Sequence, residues 1–194
     1  MSNGLAQTFA GWIASGRTRI GEIVIHANAD GFELRHADDL SRNDLMLHED
    51  ADDARHLANL DAVGRFRPLK TAPNLRRGWR LVLRDLDEVR RALDFFYPAM
   101  IGIARSHERG DLCPVPLRET LARQTGMYRV TQKITDDQAR AMTDSFCAGC
   151  LKCRLWDGHT PAADARAIPL LCHEACNLLV ARTREVVKSG EYMP

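Results

Sequence analysis

Hydrophobic and polar residues follow patterns that change from helical to strand-like along the first part of the chain. A first amphipathic helix, ending before Gly16, is predicted by apolar residues at helical intervals: Leu5, Phe9, Trp12 and Ile13. Two apolar-rich runs, 20–26 and 32–36, then flank a short loop whose Asn, Asp and Gly residues suit a reversal of the chain. This second pattern predicts a β-hairpin.

The next stretch predicts a helix, a third strand and a longer helix. The acidic turn at Asp50 favours a helix N-terminus, and apolar positions recur as far as Val63, so we expect a helix that ends at Gly64. Residues 79–84 alternate enough to predict a strand. The clearest helix follows and should be divided at Pro98; its apolar stripe has helical spacing: Leu86, Val89, Leu93 and Phe96.

Closely spaced prolines between residues 111 and 116 predict a domain boundary, because proline resists both helices and central strands. We therefore expect an α+β domain at residues 1–112, with a small sheet and helices packed against it. Residues 113–194 should form a second, mainly helical domain.

Three helices are predicted in this second domain. A short one begins at Leu117. Another begins at Thr135, where Gln138 three residues later completes a capping-box pattern. Pro169 suits the first turn of a final helix that runs to about Lys188, because its fixed φ angle is already helical.

The composition is that of an ordinary globular protein. Of 194 residues, 27% are charged and 45% are hydrophobic, and the formal net charge is +1. This charge gives no reason to expect a nucleic-acid partner. Because no signal-like start or apolar run of about eighteen residues is found, we expect a cytoplasmic protein with no membrane partner.

Two groups of basic residues could meet anions. The first lies between residues 63 and 85 without any acidic residue: Arg65, Arg67, Lys70, Arg76, Arg77, Arg80 and Arg84. It fits either a solvated loop and strand edge or a surface for an acidic partner. The second group is spread through the helical domain among acidic residues: Arg118, Arg123, Arg129, Lys133, Lys152, Arg154 and Arg166. It could offset the charge of a metal centre, hold an anionic substrate, or form an ordinary mixed surface.

Cysteine spacing gives the chain its most specific chemical signal. Five of the six cysteines lie within one short stretch: Cys147, Cys150, Cys153, Cys172 and Cys176. Thiolates two residues apart can direct both sulfurs to one centre, because the turn between them is tight. Clustered thiols in a reducing compartment are more often metal-binding or catalytic than disulfide-bonded. The pattern therefore predicts a metal-binding site.

Predicted helix ends would bring the two cysteine groups to this site. The helix that begins at Thr135 should deliver Cys147 at its C-terminal end, and Gly149 would let the backbone fold tightly beyond it. Cys172 should lie near the start of the final helix, where the helix dipole favours a thiolate. Cys176, four residues later, would then share one face of that helix with Cys172.

Two ligand assignments fit, since five thiols compete for four positions. In the first, Cys147, Cys150 and Cys153 form the C-x-x-C-x-x-C run typical of 4Fe-4S sites, with Cys172 or Cys176 as the fourth ligand. In the second, Cys147, Cys150, Cys172 and Cys176 bind and Cys153 is spare. A four-cysteine zinc site is the alternative to a cluster. The third cysteine at a two-residue step favours the 4Fe-4S cluster.

The remaining cysteine and four histidines are not expected to bind the metal directly. Cys113 lies beside a proline and is expected to be a small buried residue. His26 and His36 fall near the ends of the hairpin, where we expect surface histidines. His159 and His173 are close enough in sequence to the cysteines to support the ligands by hydrogen bonds.

Two parts of the sequence resemble a known family. The first part lies in the second domain and consists of PLRETLARQTGMYR (116–129), the paired cysteine motifs and CNLLV (176–180). They are similar to the iron-sulfur C-terminal region of some multidomain sirohydrochlorin cobaltochelatases of the CbiX type. The preceding segments, RGWRL (77–81) and LDFFYP (93–98), resemble the small domain before that region. The likeness covers roughly residues 70 to 190.

The resemblance implies a 4Fe-4S cluster and a place in tetrapyrrole or cobalamin metabolism. It carries over the cluster ligands as Cys147, Cys150, Cys172 and Cys176, with Cys153 left open. Chelatase catalysis is not carried over, because the chain has no room for the chelatase domains.

We therefore expect an iron-sulfur protein that transfers electrons or senses redox state beside a separate tetrapyrrole-pathway enzyme or redox partner. A cube held by four protein thiolates suits electron transfer, whereas a catalytic cube leaves one iron open. An enzyme that uses an open iron and a zinc-stabilised adaptor are the alternatives. No catalytic residue is assigned, and whether the chain is an enzyme stays open.

Overall fold

The computed structural model describes residues 3–147, residue 150 and residues 167–191. Two compact units divide the chain, Met1–Arg105 and Ser106–Pro194. The expected α+β class is confirmed, since a small mixed sheet and helices make up the described part. None of the described helices has the length and apolar character needed to cross a membrane.

From residue 3 onward, the first unit contains a five-stranded sheet, four α-helices and a short 3₁₀ helix at Ala37–Asp39. Its strands are β1 (Arg19–Ile20), β2 (Ile23–Asn28), β3 (Gly31–His36), β4 (Met46–His48) and β5 (Trp79–Leu83). Its helices are α1 (Asn3–Ala14), α2 (Asp53–Leu57), α3 (Leu86–Phe96) and α4 (Met100–Glu108), the last of which extends into the second unit. The strand order is β1-β2-β3-β5-β4, and only β4 and β5 pair in parallel.

The predicted hairpin is confirmed as β2 and β3, with Ile25 opposite Leu34. Ile20 belongs to the separate strand β1, because the turn at Gly21 has a positive φ angle. Gly31 begins β3 at φ 144°, and a Cβ atom there would lie 2.3 Å from the carbonyl oxygen of Leu83. Only glycine therefore lets β3 approach the end of β5 this closely.

The hydrophobic core of this unit lies between β5 and α3. The alternation in β5 buries Trp79, Leu81 and Leu83, as the sequence predicted. The stripe on α3 buries Val89, Ala92, Leu93 and Phe96, and Pro98 separates α3 from α4 as predicted. The indole of Trp79 stacks on the ring of Phe96 with 5.0 Å between ring centroids.

The predicted helix from Asp50 to Val63 is wrong in its second half, since α2 ends at Leu57. Leu60 instead forms an isolated antiparallel bridge with Phe66. Asp61 explains the change, because its carboxylate accepts hydrogen bonds from the backbone N–H groups of Val63 and Arg65. Such local side-chain bonds offer the backbone an alternative to the helix.

Most of the first basic group is compensated by carboxylates or carbonyl groups. Arg65, Arg77, Arg80 and Arg84 form ion pairs with Asp61, Asp38, Glu33 and Glu88. The buried Arg67 donates to the carbonyl oxygens of Lys70 and Ala72. These contacts support the interpretation of this stretch as a charge-balanced loop and strand edge.

Glu22, in the turn between β1 and β2, ties the sheet to the loop before β5. Its carboxylate accepts hydrogen bonds from the N–H groups of Asn74 at 2.9 Å and Leu75 at 2.8 Å. His36 faces the same carboxylate through Nε2 at 3.4 Å, and its Nδ1 accepts from the Asp38 N–H. Burial raises the pKa of Glu22, but these three partners outweigh it and the net pKa is lowered.

A lowered pKa in the folded state means that Glu22 stabilises the fold above its unfolded pKa, and that this contribution is lost as the pH falls through the folded pKa. We expect Glu22→Gln to lower the free energy of unfolding at pH 7 by about 1–2 kcal/mol. The difference from wild type should narrow below about pH 4. Urea unfolding followed by circular dichroism between pH 7 and pH 3 checks this, and a constant difference across that range would contradict it.

In its described residues, the second unit contains two short strands, four further α-helices and a π-helical turn. The strands are β6 (Val115–Pro116) and β7 (Pro169–Leu170), which pair with each other in antiparallel fashion. The helices are α5 (Leu117–Ala122), α6 (Tyr128–Lys133), α7 (Asp136–Met142) and α8 (Asn177–Glu191). Helix α6 is not predicted by the sequence pattern.

The capping box predicted at the start of α7 is confirmed. Thr135 Oγ1 accepts from the Gln138 N–H, and the Gln138 side chain accepts from the Thr135 N–H. The apolar face of α7 buries Ala139 and Met142. The helix then continues into a π-helical turn at Thr143–Cys147.

The predicted start of the final helix at Pro169 is wrong. Pro169 lies opposite Pro116 in the β6–β7 pair, and α8 begins only at Asn177. Proline lacks an N–H group, so it is accommodated in a two-stranded pair where few ladder bonds are required. The prolines between residues 111 and 116 were expected to resist strand formation. Pro116 nevertheless lies in the short strand β6.

Candidate metal centre

Two cysteines lie at the end of the helical segment that begins at Thr135. Cys147 is the last residue of the π-helical turn and is 3% exposed, and Cys150 is 6% exposed. The Cys150 N–H donates to the Cys147 carbonyl oxygen at 3.0 Å, so the two cysteines lie close together. This is the local geometry that the two-residue spacing predicted.

The second cysteine group lies in a loop between β7 and α8, and this loop is anchored to α5. Thr120, which is fully buried, donates through Oγ1 to the Cys172 carbonyl oxygen at 3.0 Å. Its own carbonyl oxygen accepts from the Ala175 N–H at 3.3 Å. Arg123 donates to the His173 carbonyl oxygen at 3.0 Å. Helix α5 therefore fixes both ends of this cysteine loop.

Cys176 immediately precedes α8, so it takes the helix N-terminal position that the sequence analysis gave to Cys172. The two cysteines consequently do not share a helix face, because the chain between them is a loop. Burial raises the pKa of the Cys176 thiol, while the N–H groups of Leu179 and Leu178 at the first turn of α8 act against it. These two N–H donors favour the negatively charged thiolate form of Cys176.

The sulfurs of Cys172 and Cys147 lie near enough to Cys176 to affect the pKa of its thiol. After these contributions, the neighbouring Cys172 and Cys147 each raise the pKa of Cys176, as nearby like charges do. Three neighbouring sulfurs suit a positively charged centre, because a metal ion favours deprotonated thiols.

The four described cysteines of the two groups, Cys147, Cys150, Cys172 and Cys176, supply the thiolate donors that a 4Fe-4S cluster takes. Among the residues that the structure describes, no three His, Cys, Asp or Glu side chains converge closely enough to hold a single metal ion. A 4Fe-4S cube takes its thiolates on different irons, so its ligands need not meet at one point. Cys153, Gly149 and His159 lie outside the described residues. The choice between the two ligand sets therefore stays a prediction.

The other candidate residues are placed as follows. Cys113 is exposed, so the expected burial is wrong; it follows the last helix of the first unit in an irregular segment. His26 is exposed opposite Glu33, as expected of a surface histidine. His36 is buried with 2% exposure, so the expected surface position is wrong; Glu22 and Asp38 satisfy its ring nitrogens there. His173 is exposed, and its ring Nδ1 lies 3.3 Å from Arg123.

Sequence reasoning missed Thr120 as a residue that positions the site. Thr120→Val keeps the shape of the side chain but removes the hydrogen bond to the Cys172 carbonyl. We expect iron to leave the protein two- to tenfold faster in the presence of a chelator, which is the rate equivalent of about one hydrogen bond. Loss of the visible absorption band with time measures this.

Thr131→Val is the matched control for that experiment. Thr131 is also buried and donates through Oγ1, but its acceptor is the Met127 carbonyl within the α6 segment. Its replacement should leave the rate of iron loss unchanged. Equal rates for the Thr120 and Thr131 variants would show that α5 does not hold the cysteine loop.

Buried paired cysteines and a cysteine loop at a helix N-terminus are features of iron-sulfur proteins. The family model described as a 4Fe-4S iron-sulfur cluster binding domain matches residues 109–185, so the second unit binds a 4Fe-4S cluster. The family model described as the DR2241 stabilising domain matches residues 5–109, more than half of the chain. The chain belongs to the DR2241 stabilising domain family.

A solved structure supports this assignment. The chain is similar to DR2241 from Deinococcus radiodurans, with 36% sequence identity and a TM-score of 0.73. That protein is described as a multi-domain protein with structural similarity to chelatases and with two additional novel domains. The match covers 94% of this chain and 42% of DR2241, so this chain spans less than half the length of its relative. No curated protein matches the chain.

Proposed function

We propose that the chain is an iron-sulfur redox accessory that exchanges electrons with a separate chelatase-type enzyme of tetrapyrrole or cobalamin metabolism. The observation that carries this proposal is the set of two buried cysteines and two loop cysteines in a unit that matches a 4Fe-4S domain. The similarity of DR2241 to chelatases supports a role in tetrapyrrole or cobalamin metabolism. The resemblance of this sequence to CbiX-type cobaltochelatases supports the same role.

The described residues suit reversible electron transfer. When bound, a 4Fe-4S cluster accepts and returns single electrons. Cys147 and Cys150 are buried, which excludes water from their side of the site. The backbone N–H groups of Leu178 and Leu179 face the sulfur of Cys176 and stabilise negative charge there, which raises the reduction potential.

A complete set of four cysteine ligands would favour an electron carrier over an enzyme with an open iron. If Cys147, Cys150, Cys172 and Cys176 each bind one iron, every iron has a protein ligand and a substrate has no free iron to approach. This arrangement favours the accessory role over catalysis at the cluster.

Reductive titration under anaerobic conditions tests the proposal. The full chain should take up one electron per cluster and return it to an oxidising dye without loss of iron, with one paramagnetic resonance spectrum in the reduced state. Small carboxylates or hydroxide, which bind open irons, should leave that spectrum unchanged. A spectrum that changes on adding them would support an enzyme instead, and iron loss on reduction would contradict a redox role.

A further inference from the structure

A second site lies in the helical unit, in a pocket between α6 and α8. Four of its six lining residues are basic: Arg129, Lys133, Arg184 and Lys188. The other two are Val130 and Val187, and no acidic residue lines the pocket. We call these four basic residues the α6–α8 basic pocket.

Helix geometry directs these four side chains to one place. Arg129 and Lys133 are four residues apart on α6, and Arg184 and Lys188 are four residues apart on α8, so each pair lies on one helix face. The two helices pack against each other, and Val187 between the α8 pair is buried with 7% exposure. The packing of the helices therefore holds two pairs of like charges around one cavity.

This arrangement concentrates positive charge at one place on the helical unit. Like charges four residues apart on a helix destabilise it, and here two such pairs face the same cavity. Elsewhere on α8 the charges are balanced, since Arg182 pairs with Glu185 at 3.1 Å. Within the described residues, neither Arg184 nor Lys188 forms an ion pair.

We propose that the α6–α8 basic pocket binds a small polyanion that carries phosphate or carboxylate groups. Arginine forks bind both groups through paired N–H donors, and lysine adds point charges. The cavity is about 200 Å³, below the range of roughly 300–1,000 Å³ usual for drug-sized ligands. It therefore suits one small anion, or the anionic group of a larger molecule, and the two valines give it an apolar floor.

Titration calorimetry of the full, cluster-loaded chain tests this with two probes, pyrophosphate and benzene-1,3,5-tricarboxylate. At low salt we expect a dissociation constant on the order of 0.1 mM for at least one probe. Raising the ionic strength to about 0.2 M should weaken binding roughly tenfold, because salt screens the attraction. The probe that binds more tightly distinguishes phosphate from carboxylate recognition. The visible absorption of the cluster is followed throughout, so that removal of iron by a probe is not counted as binding.

Variants with matched charge changes locate the site. The double variant Arg184→Gln/Lys188→Gln should bind at least tenfold more weakly, and Arg129→Gln/Lys133→Gln should do the same. All four side chains are exposed, so these changes should not affect folding or iron content. The control Arg118→Gln/Arg182→Gln removes the same charge from α5 and from the other side of α8, and should bind within about threefold of wild type.

Three results would overturn the proposal. The first is that neither probe binds up to about 10 mM. The second is that the control variant and the pocket variants weaken probe binding equally. The third is that only hexaglutamate binds, which would indicate a docking surface for an acidic protein. Because the proposal does not depend on the cluster, its failure in an iron-replete protein would leave the redox function intact.

Discussion

Replacing Cys176 by serine should remove most of the iron and the broad visible absorption band from the anaerobically purified protein. A hydroxyl is a much poorer ligand for iron than a thiolate, and Cys176 is the residue whose sulfur receives two N–H groups from the start of α8. We expect iron to fall from about four atoms per chain to below one. Individual serine variants of Cys147, Cys150 and Cys172 should give the same result.

Cys113 provides the matched control, because it is exposed and lies outside the cysteine groups. Cys113→Ser should keep full iron content and an unchanged spectrum.

Cys153→Ser separates the two ligand sets. An unchanged spectrum selects Cys147, Cys150, Cys172 and Cys176, and loss of the visible band selects the C-x-x-C-x-x-C set. Full iron content in the Cys176 variant would show that this sulfur is not a ligand.

Trp79→Ala should have the largest effect on the stability of the first unit. Trp79 is 1% exposed, stacks on Phe96 and donates through its indole N–H to the Arg76 carbonyl oxygen at 2.6 Å. Removing the indole leaves a cavity between β5 and α3, which costs about 3–5 kcal/mol. This loss is a large fraction of the roughly 5–15 kcal/mol that stabilises a typical domain.

Amide hydrogen exchange measured on residues 79–96 reports this loss separately from the cluster unit. Amide hydrogens that exchange only when this unit unfolds should exchange roughly a hundred- to several-thousand-fold faster in Trp79→Ala. Trp12→Ala is the control, since Trp12 is only half-buried on α1, and should cost about 1 kcal/mol. An increase below about tenfold for Trp79→Ala would contradict the packing described here.

Elements with strong local signals could be predicted from the sequence. The apolar stripe of α3, the alternation of β5 and the capping box at Thr135 each depend on residues a few positions apart, and all three were confirmed. Strand β4 was missed because three residues give no periodicity, and its identity depends on pairing with the distant β5. The early end of α2 depends on the side-chain bonds of Asp61, which apolar spacing does not reveal.

The candidate site shows the same limit. Spacing identified the cysteines, because the pattern of thiols is itself the local signal. The start of α8 was misplaced because Pro169 suits a helix N-terminus as well as the strand position it occupies. The contribution of Thr120 depends on a contact across fifty-two residues, which no local pattern contains.

The two cysteine groups should hold one iron-sulfur cluster between them. Counts of iron, inorganic sulfide and zinc in the full chain, purified without exposure to oxygen, test this. We expect about four iron and four sulfide per chain with no zinc. One zinc ion per chain with neither iron nor sulfide would contradict it.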